Sequence, residues 1–214
     1  MAFRGWPAEA LEFYEGLEAD NSKAYWTAHK DVYDQMVYAP MAELLRELEA
    51  EFGAGKVFRP YRDVRFSADK APYKTNIGAT VERGGYIQLS ASGLAAGNGM
   101  YMMAADQLER YRRAVDHDET GEELRALMAE IARKGIDVSG HDELKTAPRG
   151  YPRDHPRVDL LRYKGVVAWK EWPVAAWLGT AAAKRRVVEF LRASQPLMEW
   201  LDSRVGRSEA TPER

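Results

Sequence analysis

The stretch that decides the fold spans residues 59–78 and reads RPYRDVRFSADKAPYKTNIG. Polar and apolar residues alternate before Ser67, and a second alternating run begins at Tyr73, just after Pro72. Alternation with a period of two is typical of β-strands, and a polar stretch containing proline is typical of the connection between them. The pattern therefore predicts two adjacent strands, at residues 57–66 and 73–82.

The same stretch concentrates positive charge. Its five cations are Arg59, Arg62, Arg65, Lys70 and Lys74. On an antiparallel pair of strands, Asp63 and Arg65 would share one face, and Lys74 could join them from the neighbouring strand. Guanidinium groups match carboxylate or phosphate oxygens in pairs, and lysine adds a point charge. This favours a pocket for a small anionic ligand, bound by Arg62, Arg65, Lys70 and Lys74.

More strands are predicted after this stretch. Strands are predicted at residues 86–92 and 100–104, after a hairpin signal at Gly84-Gly85 and a loose glycine turn between residues 93 and 99. Consecutive strands with short turns indicate an antiparallel meander. Shorter strands are predicted at residues 142–147 and 166–169.

Apolar residues at helical spacing predict the helices. They are expected at residues 7–18, from Asn21 or Ser22 to Pro40, and at 40–52, 106–115, 119–134 and 180–204, with a helical turn at 158–163. The predicted fold class is α+β, an antiparallel β-meander sheet packed by N-terminal, central and C-terminal helices. We expect a single domain over residues 1–205 and a disordered tail over residues 206–214, which has no apolar content.

Composition narrows the function. The 214 residues include 31 Lys and Arg, 33 Asp and Glu, and no cysteine. Lack of cysteine excludes disulfides, thiolate nucleophiles and iron–sulfur clusters. A formal charge of −2 argues against a surface built wholly for nucleic acid. The N-terminus lacks the apolar run of a signal peptide, and no stretch approaches the roughly 20 apolar residues of a membrane span. We expect a cytoplasmic protein without a cofactor, and the sequence indicates no oligomeric state.

A second candidate is the loop at residues 148–156, which reads PRGYPRDHP. Loops rich in proline and glycine often present side chains to ligands, so Arg149 is a candidate ligand contact and the loop could close the pocket. Histidine titrates near neutral pH, so His155, or Asp63 on the first strand, could transfer protons. Alternatively, Asp154 caps a helix that starts at Pro156, and His155 packs beside it.

Other interpretations stay open. The acidic residues Asp63, Asp69 and Asp154 could neutralise the cations in a structural or partner-binding ion-pair network. A nucleic-acid-binding module is disfavoured by the net charge, but it could stack bases on exposed tyrosines. The candidates are Tyr61, Tyr73, Tyr86 and Tyr101. No metal is predicted, because the histidines at 29, 117, 141 and 155 lack ligand spacing.

Several motifs together resemble a conserved uncharacterised family, domain of unknown function 2461. The matching residues are Asn21, Lys30, Arg62–Ser67, Asp69-Lys70, Pro72–Thr75, Leu144-Lys145, Pro148–Tyr151, Asp154–Pro156 and Leu160-Leu161. One departure is Tyr25-Trp26, where the family usually has tryptophan and then phenylalanine. The resemblance implies a single-domain α+β protein and supplies no reaction.

Overall fold

The fold is α+β, as predicted, in a computed structural model that describes residues 2–65 and 67–209. The strands are β1 (Gly55–Val57), β2 (Asn76–Val81), β3 (Tyr86–Ser90), β4 (Gly93–Met100), β5 (Asp137–Gly140) and β6 (Val166–Pro173). They form one antiparallel sheet in the order β1-β2-β3-β4-β6-β5. The α-helices are α1 (Ala8–Ala19), α2 (Lys23–Val32), α3 (Ala39–Phe52), α4 (Ala105–Asp116), α5 (Asp118–Arg133), α6 (Val158–Leu161) and α7 (Ala182–Arg204).

Contacts divide the chain into two compact units. The first contains the residues up to Ala96 together with Glu171–Glu189, and the second contains Gly97–Lys170 and the residues from Phe190 onward. The single domain expected over residues 1–205 stays a prediction.

In the first unit, one helical run continues across the predicted break at Pro40. A π-helical segment, Tyr33–Tyr38, joins α2 to α3, and Pro40 is the second residue of α3. Proline lacks an amide N–H and crowds the preceding turn, and the wider π turn accommodates it without ending the helix. Gly53 ends α3 with a φ of 79°, as the sequence predicted.

The hairpin of β2 and β3 is confirmed, whereas the strand before it is shorter than predicted. Ile77 pairs with Leu89, and Gly84 and Gly85 form the turn with positive φ angles. The predicted strand at residues 57–66 is wrong beyond Val57, because only one isolated bridge, Tyr61 to Tyr73, follows it among the described residues. Phe66 lies outside the described residues.

Strand β4 occupies the glycine-rich stretch for which the sequence predicted a loose turn. A Cβ atom on Gly97 would lie 2.7 Å from the Trp169 ring, and one on Gly99 would lie 2.2 Å from the carbonyl oxygen of Val166. Glycine is present here because β6 approaches closely, so the loop prediction is wrong. The strand predicted at residues 100–104 is also wrong beyond its first residue.

The second unit packs α4 and α5 around buried apolar residues. The fully or almost fully buried side chains include Tyr111, Val115, Leu124, Leu161, Leu197 and Leu201. Strand β5 pairs with β6, Val138 opposite Ala168. The strand predicted at residues 142–147 is wrong, since this stretch contributes only an isolated bridge from Glu143 to Tyr163. Helix α6 is limited to Val158–Leu161.

The start of α4 holds the last described residues of the chain. The Asp106 carboxylate accepts hydrogen bonds from the Ser208 hydroxyl and the Glu209 N–H, both at 2.8 Å. The side-chain amide of Gln107 donates a hydrogen bond to the carbonyl of Gly206, also at 2.8 Å. The hydrogen bond from the Glu209 N–H, followed by that from Ser208, lowers the pKa of Asp106 to about 2. Residues 206–209 thus contact α4, while residues 210–214 of the predicted disordered tail lie outside the described residues.

Candidate functional site

The basic segment, residues 59–76, folds back on itself in the first unit. The Arg62 N–H donates to the carbonyl of Pro72 at 2.9 Å, and the Lys74 N–H donates to the carbonyl of Pro60 at 2.8 Å. These two hydrogen bonds flank the bridge between Tyr61 and Tyr73. The segment is therefore an irregular loop closed at its base, and this arrangement brings Arg62 close to Lys74.

Two side chains anchor this loop to the N-terminal helices. The Asn21 amide donates to the carbonyl of Tyr73 at 3.0 Å and accepts the Tyr73 N–H at 3.1 Å. The buried Tyr73 ring stacks on Trp26, with 4.4 Å between ring centroids and 7° between planes. Asn21 replaces a strand partner for Tyr73, so the position of the basic segment is fixed by the start of α2.

An open cavity of about 450 Å³ lies beside this anchor. We call it the Lys74 cleft, and it is lined by Glu18, Asn21, Arg62, Asp69, Ala71, Tyr73, Lys74, Thr75 and Asn76. Two cations and two carboxylates thus face a cavity that also offers amide and hydroxyl groups. Its size falls in the range of small-molecule sites, roughly 300–1,000 Å³.

The two cations of the Lys74 cleft differ in their partners. Arg62 forms an ion pair with Asp69 through Nη1, and its Nε and Nη2 make no hydrogen bond to any described residue. The N–H of Ala71 and then the Arg62 guanidinium lower the pKa of Asp69, which keeps this carboxylate ionised. Lys74 is half-buried, lies 5.5 Å from the centroid of the Phe58 ring, and has no carboxylate partner in the described part of the chain. Lys74 therefore has charge available for a ligand.

The remaining predicted cations of the segment do not line this cleft. Arg65 is exposed and binds Asp63 in a bidentate pair, Nε to Oδ1 at 2.9 Å and Nη2 to Oδ2 at 2.7 Å. Lys70 donates to the carbonyl of Val64 at 3.0 Å. The Arg65 guanidinium lowers the pKa of Asp63, so this predicted proton carrier is held in its ionised form.

The other predicted site residues, Arg149 and His155, belong to the second unit. Arg149 is exposed. The His155 ring accepts the Arg157 N–H at Nδ1, at 3.0 Å, and its Nε2 lies 3.1 Å from Oδ1 of Asp116. Since Nδ1 is an acceptor, the ring hydrogen is on Nε2, and this N–H donates a hydrogen bond to Asp116. Both nitrogens are therefore engaged in holding the loop.

The predicted helix cap at Asp154 is wrong. Helix α6 begins at Val158, two residues later than expected, and Arg157 precedes it without a side-chain cap. Instead, the His155 carbonyl accepts the Val158 N–H at 3.0 Å. The carboxylate that orients the His155 ring is that of Asp116, which is distant in sequence.

Arg157, which the sequence did not single out, is the most extensively bonded cation of the second unit's loop. It is buried and donates to the carbonyls of Val115 and Asp116 and to the carboxylates of Asp118 and Glu122, at 2.6–3.0 Å. No periodicity marks such a residue, because its partners lie 35 to 42 positions away. Its contacts join α4 to α5 and have a structural role.

The four tyrosines of the nucleic-acid alternative lie in different environments. Tyr73 is buried against Trp26, and the half-buried Tyr86 donates its hydroxyl to Gln88 at 2.9 Å. Tyr61 is exposed, and Tyr101, in the second unit, is exposed and stacks on His141. A buried ring cannot stack on a base, so Tyr73 is removed from this set.

Within residues 2–65 and 67–209, no three histidine, aspartate or glutamate side chains are placed to hold a metal ion. In the same residues, no helix has both the length and the apolar character required to cross a bilayer.

Comparisons with known proteins place the chain in a family. Among solved structures, a conserved hypothetical protein from Pyrococcus furiosus is 14% identical and matches with a TM-score of 0.35, covering 78% of this chain and 98% of that one. So low a score carries no argument. No curated protein matches the chain. The resemblance read from the motifs is confirmed, because a family model described as "Conserved hypothetical protein (DUF2461)" matches residues 9–200. The chain belongs to the DUF2461 family.

Proposed function

We propose that the protein binds a small ligand with a carboxylate or phosphate group in the Lys74 cleft. The observation that carries the proposal is Lys74 itself, a half-buried residue whose ammonium has no carboxylate partner in the described chain, on the wall of a cavity of about 450 Å³. A partly desolvated cation gains more from an incoming anion than an exposed cation does, because water screens the pair less.

Arg62 supports this proposal as a second, oriented contact. Its ion pair with Asp69 uses Nη1 and restrains the side chain, while Nε and Nη2 keep their donors. A guanidinium held in this way loses less side-chain entropy when it binds an oxyanion. Thr75 and Asn76 add neutral hydrogen-bonding groups, so the cleft can orient a ligand as well as attract it.

Ligand binding is a better supported proposal than acid–base catalysis. Of the two candidate proton carriers, Asp63 is paired with Arg65, and both ring nitrogens of His155 have partners. The structural alternative is favoured by one observation, the two ion pairs that Arg62 and Arg65 form within the basic segment. The cytoplasmic location stays a prediction.

The test uses a variant that removes only the ammonium. Lys74→Met keeps the unbranched side chain, and Lys56→Met, at an exposed position on β1, is the matched control. Acetate, citrate and inorganic phosphate are titrated at constant ionic strength, and binding is followed by amide NMR shifts at residues 74–76. A ligand at 100 times its Kd also stabilises the fold by about 2.7 kcal/mol, or a rise in Tm of roughly 5–10 °C.

The proposal expects saturable shifts at residues 74–76 in the wild type and in Lys56→Met, and their loss in Lys74→Met. Shifts that persist in Lys74→Met, or the absence of saturation with every small anion, would overturn it. In the second case the structural alternative gains support if Arg65→Ala lowers the Tm of the unliganded protein.

A further inference from the structure

The second unit contains another cavity, of about 420 Å³, where α4 and α5 meet near the end of α7. We call it the arginine cleft, and it is lined by Arg110, Arg113, Ala114, His117, Glu119, Thr120 and Arg204. Three guanidinium groups therefore border one cavity, although the chain as a whole has a formal charge of −2. None of these residues takes part in the Lys74 cleft.

Two of the three guanidinium groups are only loosely paired. Nη2 of Arg113 lies 3.8 Å from a Glu109 carboxylate oxygen, and Nη2 of Arg204 lies 3.7 Å from one of Glu123. Both distances exceed that of a hydrogen bond, and the two side chains are 67% and 45% exposed. Exposed pairs of this kind are weak, so both guanidinium groups can turn toward a stronger partner.

The third guanidinium is fixed in place. Arg110 is 25% exposed, and it donates from Nε to the Val205 carbonyl and from Nη2 to the Arg207 carbonyl, at 2.7 Å, and to Asp106, at 3.1 Å. Its Nη1 makes no hydrogen bond to any described residue. The cleft thus combines one preoriented guanidinium with two that can adjust, which lowers the entropic cost of binding.

The charge of the cleft also favours an anion. Among the described lining residues, three arginines are accompanied by one carboxylate, that of Glu119, while the carboxylates that pair with the arginines, Asp106, Glu109 and Glu123, are not part of the lining. Glu119 and Thr120 belong to the first turn of α5, a 16-residue helix, where the helix dipole adds partial positive charge. By contrast, the described lining of the Lys74 cleft has two cations and two carboxylates.

We propose that the arginine cleft binds a small ligand with more than one phosphate charge, of the pyrophosphate or nucleotide class. Phosphate is favoured because the guanidinium groups of Arg113 and Arg204 can each donate two parallel hydrogen bonds to phosphate oxygens, and Nη1 of Arg110 can donate as well. More than one charge is favoured because three guanidinium groups face one cavity whose volume suits a small molecule. The proposal is independent of the Lys74 cleft.

The experiment titrates inorganic pyrophosphate into the full chain at constant ionic strength, with calorimetry for affinity and the amide NMR signals of Glu119 and Thr120 for location. The double variant Arg113→Gln, Arg204→Gln should weaken the affinity by roughly tenfold or more, as expected for the loss of charge-assisted hydrogen bonds. The control is Arg133→Gln, an exposed arginine in the last turn of α5, which should bind like the wild type.

A variant with the opposite expected sign keeps the test decisive. Glu119→Gln removes the acidic wall and should tighten pyrophosphate binding severalfold, a gain that misfolding cannot produce. Equal affinities for the wild type, the double variant and Glu119→Gln would overturn the proposal. Binding of a single-stranded oligonucleotide with shifts at Glu119 and Thr120, but none with pyrophosphate or AMP, would also overturn it and assign the cleft to nucleic acid.

Discussion

The clearest stability prediction concerns the buried Arg157. Its side chain is 4% exposed, and it donates to the carbonyls of Val115, at 2.7 Å, and Asp116, at 2.9 Å. These carbonyls lie in the last turn of α4, where no N–H of the same helix can reach them. Arg157→Met keeps most of the apolar stem, removes every donor and leaves both carbonyls without this partner.

The loss of unfolding free energy in Arg157→Met depends on which partners of Arg157 water can reach. Asp118 is 93% exposed, and Glu122 is largely exposed, so both carboxylates become hydrated when Arg157 is replaced. Val115 is fully buried, and a buried acceptor without a partner costs about 1–3 kcal/mol. With the loss of a second backbone hydrogen bond, we expect destabilisation by about 3 kcal/mol, which lowers the Tm of a chain of this size by roughly 6–12 °C.

Urea unfolding followed by circular dichroism measures this cost. The control is Arg125→Met, because Arg125 binds Asp159 in a bidentate pair, at 2.9 and 3.0 Å, but with a side chain that is 40% exposed. Such a pair contributes less than about 1 kcal/mol. The reasoning is refuted if Arg157→Met costs no more than Arg125→Met.

A second route to the same contact strengthens the test. A Cβ atom on Gly121 would lie 2.3 Å from the Val115 carbonyl oxygen and 2.5 Å from Nε of Arg157. Alanine normally stabilises a helix interior relative to glycine by about 1 kcal/mol. Gly121→Ala should nevertheless destabilise the protein, because the methyl group occupies the space of the Arg157 hydrogen bond.

Two further predictions concern the first unit, namely the Asn21 anchor and the contact between α1 and α2, and a third concerns acid stability in the second unit. Asn21→Ala should cost about 1–3 kcal/mol in urea unfolding and increase hydrogen exchange at the Tyr73 amide, since both backbone groups of Tyr73 lose their partner; an unchanged exchange rate would contradict the anchor. Gly16→Ala should lower the Tm despite the better helix propensity, because its Cβ would lie 2.1 Å from the Tyr25 hydroxyl; a raised Tm would contradict this contact. The pKa of Asp106 falls from 3.8 when unfolded to about 2 when folded, so its contribution is complete above pH 4 and is lost as the pH falls toward 2. The difference in unfolding free energy between wild type and Asp106→Asn should therefore shrink over that range, and a constant difference would exclude the linkage.

The helices were predictable because their signals are local. Apolar spacing and a terminal glycine placed α3 at residues 40–52, and the structure has Ala39–Phe52 with Gly53 as the cap. The π segment before Pro40 was not predicted. The π segment allows the helix to continue through a proline, and no local residue pattern predicts this.

The sheet shows where local reasoning fails. The glycines in β4 led to the prediction of a turn. They are in fact needed in a strand, because the backbone and the Trp169 ring of β6 leave no room for a Cβ atom. The residues that make this contact are far apart in the chain: Val166 is about 70 positions from Gly99. Conversely, alternation before Ser67 predicted a strand at residues 57–66, but beyond Val57 the described residues pair with residues 72–74 only through one isolated bridge, Tyr61 to Tyr73, and the N–H and carbonyl of Tyr73 bind the Asn21 side chain.

The sequence predicted only some of the residues that line the Lys74 cleft. Arg62 and Lys74 do line one cleft, but Arg65 is removed from it by Asp63, two residues away. The predicted strand would have placed Asp63 and Arg65 on the same face of the sheet. In the structure the backbone here is irregular, and the two side chains pair with each other. The arginine cleft could not be predicted at all, since Arg113 and Arg204 are far apart in the chain and meet only through the fold.

The two proposed sites differ in charge balance, and this difference sets their response to salt. Among the described lining residues, the arginine cleft has three arginines, two of them 67% and 45% exposed, and one carboxylate, whereas the Lys74 cleft has two cations and two carboxylates, and its Lys74 is half-buried. Exposed charges are screened over a Debye length of about 10 Å at 0.1 M salt and about 3 Å at 1 M. Raising the salt concentration should therefore weaken pyrophosphate binding at the arginine cleft more than carboxylate binding at Lys74. Equal salt dependence would mean that anions reach both clefts through the same solvent-exposed attraction, and that the burial of Lys74 contributes nothing to recognition.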